Sequence, residues 1–309
     1  MFERILVASD LSAASDQLVR CVAGWRRFGA SRALLLHALC MRHYRDMRPV
    51  VEPLIEPRLQ AQAEMLRRAG LEVATEVLPG KACEEILAAA GRFRAGLIAM
   101  ATRSGSLIHD LLVGSTVLEV LGRTGTPVLA LQARDEDPHW TCCRKTGAWI
   151  GAHILHPTDF SDTAELAFRL VKALAARGAE QVTLLHVQPA KRPSPGAAPA
   201  GHDDIDEARL RRMLSELQAE SQARAETLLA SGNPGEEIIR CAGLKGATLI
   251  VMGARGKGLV SEVLLGSESH HVIRHAPVPL LLAPGHVASR GLPRQEAGAE
   301  EKETQDEHR

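Results

Sequence analysis

A run of small residues in the second half of the chain has the spacing of a phosphate-binding loop. Gly253 and Gly256 follow an apolar stretch, and Gly266 and Ser267 come after nine further residues. Because glycine lacks a β-carbon, the backbone at Gly253 and Gly256 is expected to turn sharply and bring its N–H groups close to an anion. The start of the following helix favours phosphate, and the Ser267 hydroxyl adds a donor. The spacing predicts an anion cradle, whereas each glycine alone would indicate only a turn.

Charged side chains lie beside this loop. Arg255 and Lys257 could pair with phosphate, although we favour plain solvent exposure for Lys257. A structural ion pair is the alternative for Arg255, because Arg103 holds the matching position in the first half. Asp159 could accept hydrogen bonds from ribose hydroxyls or an exocyclic amine. Capping of the next helix is an equally good interpretation of Asp159.

The first half of the chain repeats the second half but lacks the loop glycines. The segment beginning AMATRS aligns without a gap on the segment beginning VMGARG. Ala101 and Ser104 therefore replace the two glycines, whereas Gly114, Ser115 and Asp10 are retained. Since β-carbons at Ala101 and Ser104 would hinder approach to phosphate, we expect weak or absent nucleotide binding in the first half.

Both halves alternate short apolar strands with amphipathic helices. This alternation predicts an α/β fold with two tandem, doubly wound, parallel five-stranded sheets of Rossmann-like type, and ligands at the carboxyl ends of the strands. Helices are expected at 14–27, 82–90 and 203–224. The expected strands are Arg4–Ala8, Arg32–Leu39, Glu72–Leu78, Gly96–Ala101, Pro127–Leu131, Ala152–His156, Gln181–Val187, Ala225–Ala230, Thr248–Gly253 and Val278–Ala283.

Composition along the chain suggests its organisation into domains. Domains at 1–133 and 149–285 are predicted, joined by a polar linker at 134–148. The acidic segment 286–309 lacks hydrophobic periodicity and is predicted to be disordered. Residues 189–202 are rich in Pro, Ala and Gly, and we interpret them as a flexible insertion that could act as a lid.

The overall composition excludes several classes of partner. Lys plus Arg and Asp plus Glu each number 37 in 309 residues, and aromatic residues make up 3%, so a nucleic-acid partner is not expected. No apolar run reaches the roughly 20 residues of a membrane span. Six scattered cysteines are expected to be reduced, which with the absence of a signal-peptide pattern predicts a cytoplasmic protein. Cys142 and Cys143 near His139 could bind a soft metal, but two ordinary cysteines are the preferred interpretation.

Histidines and an acidic run provide weaker candidates. His37 and His186 end the second strands of their halves, and a hydrogen-bonded packing role is the preferred interpretation. His270 and His271 are helix neighbours and cannot both face one ion. The acidic run 202–207 could hold a divalent ion, but helix capping and dipole compensation explain it.

The loop residues and Asp159 resemble the universal stress protein family. Its nucleotide-binding members carry G-x2-G-x9-G-[ST] and an acidic residue after the first strand. The resemblance covers about 1–131 and 151–284, and implies a tandem protein with an adenine-nucleotide α-hydrolase-like fold. Members of this family pair through the last strand, so the two halves are expected to form a single-chain pseudo-dimer. A homodimer of whole chains stays open.

The resemblance also implies a ligand and its contacts. ATP, with or without Mg²⁺, would have its phosphates on the loop, its ribose or adenine near Thr158 and Asp159, and its adenine against Val187. No catalytic or metal-binding residue is assigned. The implied binding residues are Thr158, Asp159, Val187, Gly253, Arg255, Gly256, Gly266 and Ser267.

Three functions remain open from the sequence. The first is an ATP-binding stress-response regulator whose nucleotide alters a surface read by a protein partner. The second is a slow ATP hydrolase or nucleotidyl-transfer enzyme that uses the same cradle. The third is a scaffold that binds no nucleotide. Because the chain has no G-x4-GK[ST], GxSxG or HExxH motif, we expect at most weak ATPase activity.

Overall fold

A computed structural model describes residues 1–40, 44–102, 114–132, 149–188, 202–256 and 265–285. For 44–46 and 202–203 it describes the backbone only. The expectations for the linker at 134–148, for Cys142 and Cys143, for the segment 189–201 and for the acidic segment 286–309 lie outside the described residues.

The described residues of the first half form five strands and four α-helices in alternation. A 3-10 helix at Gly24–Phe28 continues the first α-helix. The elements in chain order are β1 Arg4–Ala8, α1 Ala13–Ala23, β2 Arg32–Leu39, α2 Tyr44–Arg68, β3 Glu72–Pro79, α3 Ala82–Phe93, β4 Leu97–Ala101, α4 Ser115–Arg123 and β5 Val128–Leu131.

The second half repeats this order. The observed bounds of its strands agree with the predicted bounds to within about one residue, except that β10 starts two residues later than expected. The elements are β6 His153–Pro157, α5 Asp162–Ala175, β7 Gln181–Gln188, α6 His202–Glu220, β8 Arg224–Ser231, α7 Pro234–Lys245, β9 Leu249–Gly253, α8 Ser267–His275 and β10 Leu280–Ala283.

The ten strands form one sheet in the order β3-β2-β1-β4-β5-β10-β9-β6-β7-β8. Pairing is parallel within each half, as the strand–helix alternation predicts. The two halves join through β5 and β10, which are antiparallel with Leu280 opposite Ala130. This pairing confirms the expected pseudo-dimer, because each last strand covers the edge of the other.

Two apolar cores cover the two faces of the sheet, and each draws residues from both halves. One core contains residues of α1, α2, α5 and α6, and the other contains residues of α3, α4, α7 and α8. The central strands are buried along their whole length, as in β6 and β9. Burial on both faces explains why these strands are continuous apolar runs in the sequence.

Several helices differ from the sequence-based expectation. The helix expected at 203–224 ends at Glu220, because β8 starts at Arg224, and the helix expected at 82–90 continues to Phe93. The helix expected at 14–27 is α-helical only to Ala23 and continues as the 3-10 turn. The helix α2, which the sequence analysis did not assign, contains Pro49, Pro53 and Pro57. All three prolines are exposed. Water can therefore reach the carbonyl groups that lose their intrahelical donors, which lowers the cost of proline inside the helix.

The described helices offer no membrane anchor of helical type. None of them is both long enough and apolar enough to cross a lipid bilayer.

Candidate functional site

A cavity opens at the carboxyl ends of the strands in the second half. Its volume is about 610 Å³. All eight residues predicted to bind nucleotide line it, and they are Thr158, Asp159, Val187, Gly253, Arg255, Gly256, Gly266 and Ser267. Parallel strands bring their carboxyl ends to one edge of the sheet, so residues about 100 positions apart in the sequence meet there.

The start of α8 forms one wall of this cavity. Gly266 is the N-cap residue, and its own N–H donates to the Ala254 carbonyl oxygen at 3.2 Å. That bond fixes the end of the loop against the end of β9. Ser267 is exposed and begins the helix. The first N–H groups of an α-helix, here α8, have no intrahelical acceptors. This wall can donate hydrogen bonds to an anion.

Gly253 and Gly256 are required by space, and not by unusual dihedral angles. Neither glycine has a positive φ. A β-carbon at Gly253 would lie 2.6 Å from the Thr163 hydroxyl oxygen and 2.9 Å from the Thr163 carbonyl carbon. A β-carbon at Gly256 would lie 2.9 Å from Asp159 Oδ2. The sequence analysis explained both glycines by sharp turns and access for phosphate, and for Gly253 the structure gives a different reason, the close crossing of α5 over β9.

The capping role considered for Asp159 belongs to Ser161. Ser161 is the N-cap of α5 and accepts a hydrogen bond from the N–H of Ala164. Asp159 Oδ1 instead accepts from the N–H of Ser161 at 3.0 Å, in the turn before the helix. Its carboxylate lines the cavity.

The equivalent carboxylate in the first half is held differently. Asp10 Oδ1 accepts from the N–H of Ser12 at 3.0 Å and also from the Ser15 hydroxyl at 2.6 Å. Ala164 occupies the position that matches Ser15. The first half therefore binds its carboxylate with a hydroxyl that the second half lacks.

Arg255 lies over the end of β10 beside the cavity. Its Nε and Cδ would lie 2.7 and 2.8 Å from a β-carbon at Gly285, so that glycine leaves room for the guanidinium. The Thr163 hydroxyl donates to the Arg255 carbonyl oxygen. Among the described residues, the buried Nε of Arg255 has no hydrogen-bond partner. An anion in the cavity could supply that acceptor.

His186 connects the cavity wall to α6. Its Nδ1–H donates to the Thr158 carbonyl oxygen at 2.7 Å, and its Nε2 lies 3.3 Å from Asp206 Oδ2. The Phe160 ring lies 4.6 Å from the His186 ring, centroid to centroid. His37 makes the matching bond to Ser9 in the first half, at 2.8 Å. The hydrogen-bonded packing role expected for both histidines is confirmed.

His156 is buried in the strand β6 that leads to the cavity. It is fully buried, its Nδ1–H donates to the Val251 carbonyl oxygen at 2.8 Å, and its ring stacks on Phe168. Burial disfavours the imidazolium and lowers the pKa of His156 to about 4, while the Val251 carbonyl and Asp159 oppose that shift. His156 is therefore neutral at pH 7.

Part of the cavity lining is apolar. Leu185 and Val187 come from β7, Ile238 comes from α7, and Met252 comes from β9. These side chains offer a surface on which a flat apolar ring can lie, whereas Asp159, Arg255 and Ser267 make other parts of the lining polar. The cavity thus has the mixed lining that is typical of small-molecule sites.

The first half has a smaller cavity at the matching place, of about 210 Å³. Its polar lining includes Asp10, Ser15 and Ser115, and Ala101 stands where Gly253 stands in the second half. Ala14 occupies the position that matches Thr163. The helix that crosses Ala101 therefore carries alanine, which is smaller than the threonine of the second half and leaves room for the Ala101 methyl group.

Two acidic residues of the cavity lining were missed by the sequence analysis as binding candidates. Asp206 was considered only as part of an acidic helix start, and Glu268 was not considered. Glu268 could have been found by comparing the two halves, because the matching residue of the first half, Thr116, carries no charge. Several residues discussed from the sequence lie outside the described part of the chain, and they are Arg103, Ser104, His139 and Lys257.

The other histidine candidates do not form a shared ion site. The rings of His271 and His275 lie 4.5 Å apart, and the Nδ1–H of His275 donates to the His271 carbonyl oxygen. Burial, together with the neighbouring Arg274, lowers the pKa of His270. Within the described residues, no group of three His, Cys, Asp or Glu side chains is placed to hold a metal ion.

Comparison with known proteins identifies relatives of both halves. The sequence profile of the Universal stress protein family matches residues 1–132 and 152–284. A universal stress protein of Mycolicibacterium smegmatis is 25% identical over 304 residues, covering 90% of this chain and 96% of that protein. One from Methanocaldococcus jannaschii is 34% identical over 149 residues, covering 42% of this chain and 92% of that protein.

A solved structure has the same fold over nearly the whole chain. It is a universal stress protein from Archaeoglobus fulgidus, with a TM-score of 0.71, 24% identity, and coverage of 92% of this chain and 99% of that one. At this level of identity the likeness shows the fold alone.

Proposed function

The chain belongs to the universal stress protein family, and from that premise we propose that it is a regulatory protein that binds an adenine nucleotide, ATP included, in the cavity of its second half. One observation carries the proposal. Eight residues chosen from the sequence as nucleotide contacts all line a single cavity of about 610 Å³.

The two walls of the cavity fit the two ends of a nucleotide. The start of α8 offers backbone donors for phosphate. The buried Nε of Arg255 lacks a partner among the described residues, which suits a charge-assisted bond to the same group. Leu185, Val187 and Met252 offer the apolar surface for the base.

The first half supports the restriction of strong binding to the second. Its cavity is about a third of the size, and Ser15 already holds the carboxylate of Asp10. A nucleotide that used the Asp10 carboxylate would compete with the Ser15 hydroxyl for it, and Ala164 supplies no hydroxyl at the matching position of the second half.

Nucleotide binding would regulate by altering a surface that a protein partner reads. A ligand can shift an equilibrium between two surfaces only by its difference in affinity for them. We place the regulation in a reducing compartment, the cytoplasm, because the described cysteines Cys21, Cys40, Cys83 and Cys241 are free thiols.

Calorimetric titration of the whole chain with ATP and with AMP tests the proposal. Ser267→Asp places a negative charge at the start of α8, where it suits the helix dipole but repels phosphate. We expect this variant to fold normally and to bind ATP at least about tenfold more weakly.

The repeat supplies a matched control. Ser115 starts α4 as Ser267 starts α8, and both serines are exposed. Ser115→Asp should leave nucleotide affinity unchanged. If the wild type binds no nucleotide at millimolar concentration, the protein is a scaffold that binds no nucleotide. An equal loss of ATP affinity in both variants would contradict a site in the second half. Steady release of phosphate would move the function toward hydrolysis.

A further inference from the structure

Glu268 is a carboxylate built into the phosphate end of the cavity. It is the second residue of α8, and it lines the cavity together with Ser267. Negative charge at a helix start is favourable for the helix itself, but it occupies the electrostatic position that a phosphate would use. Glu268 and a bound phosphate would therefore repel one another.

The carboxylate is held in place by a second helix. Glu268 Oε2 accepts a hydrogen bond from the Gly235 N–H, in the first turn of α7, at 2.7 Å. A β-carbon at Gly235 would lie 2.8 Å from that oxygen and 2.7 Å from Cδ2 of His271. Glycine at position 235 thus allows α7 and α8 to approach closely enough for the bond.

The first half lacks both members of this pair. Cys83 matches Gly235, and Thr116 matches Glu268. The half with the smaller cavity therefore has a neutral side chain at the helix start and a β-carbon at the facing position. Glycine and glutamate occur together in the half with the larger cavity, where their contact is made.

Among the described residues, most of the charges that line the cavity have the same sign as that of Glu268. The described charged lining consists of Arg255 and three carboxylates, those of Asp159, Asp206 and Glu268. Asp206 lies 3.3 Å from His186 Nε2 and 3.8 Å from Arg209. Among the described residues, no cation lies within ion-pair distance of Glu268. Its charge acts directly on a ligand beside the helix start.

We propose that Glu268 selects among adenine nucleotides by their charge, and so weakens the binding of metal-free ATP more than the binding of AMP. This inference rests on the proposed nucleotide site. Each added phosphoryl group brings further negative charge toward the carboxylate, and the repulsion rises with it. A divalent cation on the phosphates reduces that charge, so the discrimination is expected to shrink when ATP carries Mg²⁺.

The test is the ratio of the dissociation constants for ATP and AMP, measured by calorimetry on the whole chain in a chelator. Glu268→Gln keeps an acceptor for the Gly235 N–H and removes the charge. We expect the ATP-to-AMP ratio to fall by about five- to tenfold in this variant, as expected for removal of one nearby charge from a partly exposed site. Raising the salt concentration in the wild type should lower the ratio in the same direction.

Two further variants complete the test. Glu268→Thr installs the residue of the first half and should give the same change. Glu236→Gln removes an exposed carboxylate from the first turn of α7, outside the cavity lining, and should leave the ratio as it is.

The outcomes separate this inference from the function beneath it. Nucleotide binding with an unchanged ratio in both Glu268 variants would overturn the charge selection and leave the proposed function standing. An equal change in Glu236→Gln would also overturn it, since long-range charge would then suffice. Failure of the wild type to bind either nucleotide would overturn both.

Discussion

Gly253 is fixed by the helix that crosses it. A β-carbon there would meet both the hydroxyl and the backbone of Thr163. In the first half the same crossing joins Ala101 and Ala14. The two halves therefore use two pairings of residues at one contact, glycine with threonine and alanine with alanine.

This pairing predicts the behaviour of Gly253→Ala. Overpacking should cost about 1 to 3 kcal/mol of unfolding free energy. Adding Thr163→Ala should recover part of that loss, because it recreates the pairing of the first half, although the bond to the Arg255 carbonyl is then absent. Denaturant unfolding of the two variants measures both effects. A double variant less stable than the sum of the single changes would contradict the pairing.

His156 should make stability depend on pH. Its pKa is lowered from an ordinary 6.5 to about 4 in the folded chain, so between these values the unfolded chain binds more protons. Stability is therefore complete above about pH 6.5 and is lost as the pH falls, by roughly 3 kcal/mol in total. Val7 holds the matching position in the first half, which makes His156→Val the natural variant.

The measurement is unfolding free energy from pH 7.5 to pH 4. His156→Val should lower the slope of the unfolding free energy against pH by up to the value for one proton, about 1.4 kcal/mol per pH unit. Equal slopes in the wild type and in His156→Val would refute a buried neutral imidazole.

At the scale of elements, α2 shows how exposure allows unfavourable residues. Its prolines recur at intervals of four, so they share one side of the helix, and that side faces water. The opposite side supplies buried residues such as Leu59 and Leu66 to the core. Packing of that face, and not intrinsic propensity, therefore accounts for the helix.

Pro53→Ala should stabilise the chain for this reason. Proline in a helix interior is less favourable than alanine by about 3 kcal/mol. Part of this difference is offset, because the unfolded chain has more conformational freedom with alanine than with proline. We expect a gain of about 1 to 2 kcal/mol in thermal or denaturant unfolding. Pro53→Gly removes the ring without adding helix propensity and should give a smaller gain or none. A loss with alanine would show that the ring makes a contact of its own.

Particular elements show what the sequence could and could not predict. The strands and the glycine spacing were predictable because apolar runs and local spacing are visible in one dimension. The edge pairing of β5 with β10 was expected from the family resemblance, because members of that family pair through the last strand. The contacts of Gly253 with Thr163 and of Glu268 with Gly235 were not predictable, because each depends on how closely two helices or a helix and a strand approach. The helix α2 was missed because its prolines are typical of loops.

At the scale of the whole molecule, the two halves share one core. Phe28 of the 3-10 helix packs on Trp149, with ring centroids 5.4 Å apart. A β-carbon at Gly24 would lie 2.7 Å from the Ile150 side chain, and one at Gly151 would lie 2.6 Å from the Phe28 ring. The apolar core that contains Trp25 in the first half continues to Phe168 in the second. Together with the β5–β10 pairing, these contacts make separate unfolding of the halves unfavourable.

The whole chain is therefore expected to unfold in one transition. Phe168→Leu, in the second half, should cost about 1 to 2 kcal/mol by imperfect packing. Trp25 is fully buried in the first half, and in a chain carrying Trp140→Phe and Trp149→Phe it is the only tryptophan. Its fluorescence should then report the same fall in midpoint as far-ultraviolet circular dichroism. Leu244→Ala, at a side chain 73% exposed in the second half, should move neither signal. A Trp25 transition that stays in place while the dichroism midpoint falls would show that the halves unfold independently, in spite of the joined sheet and the continuous core.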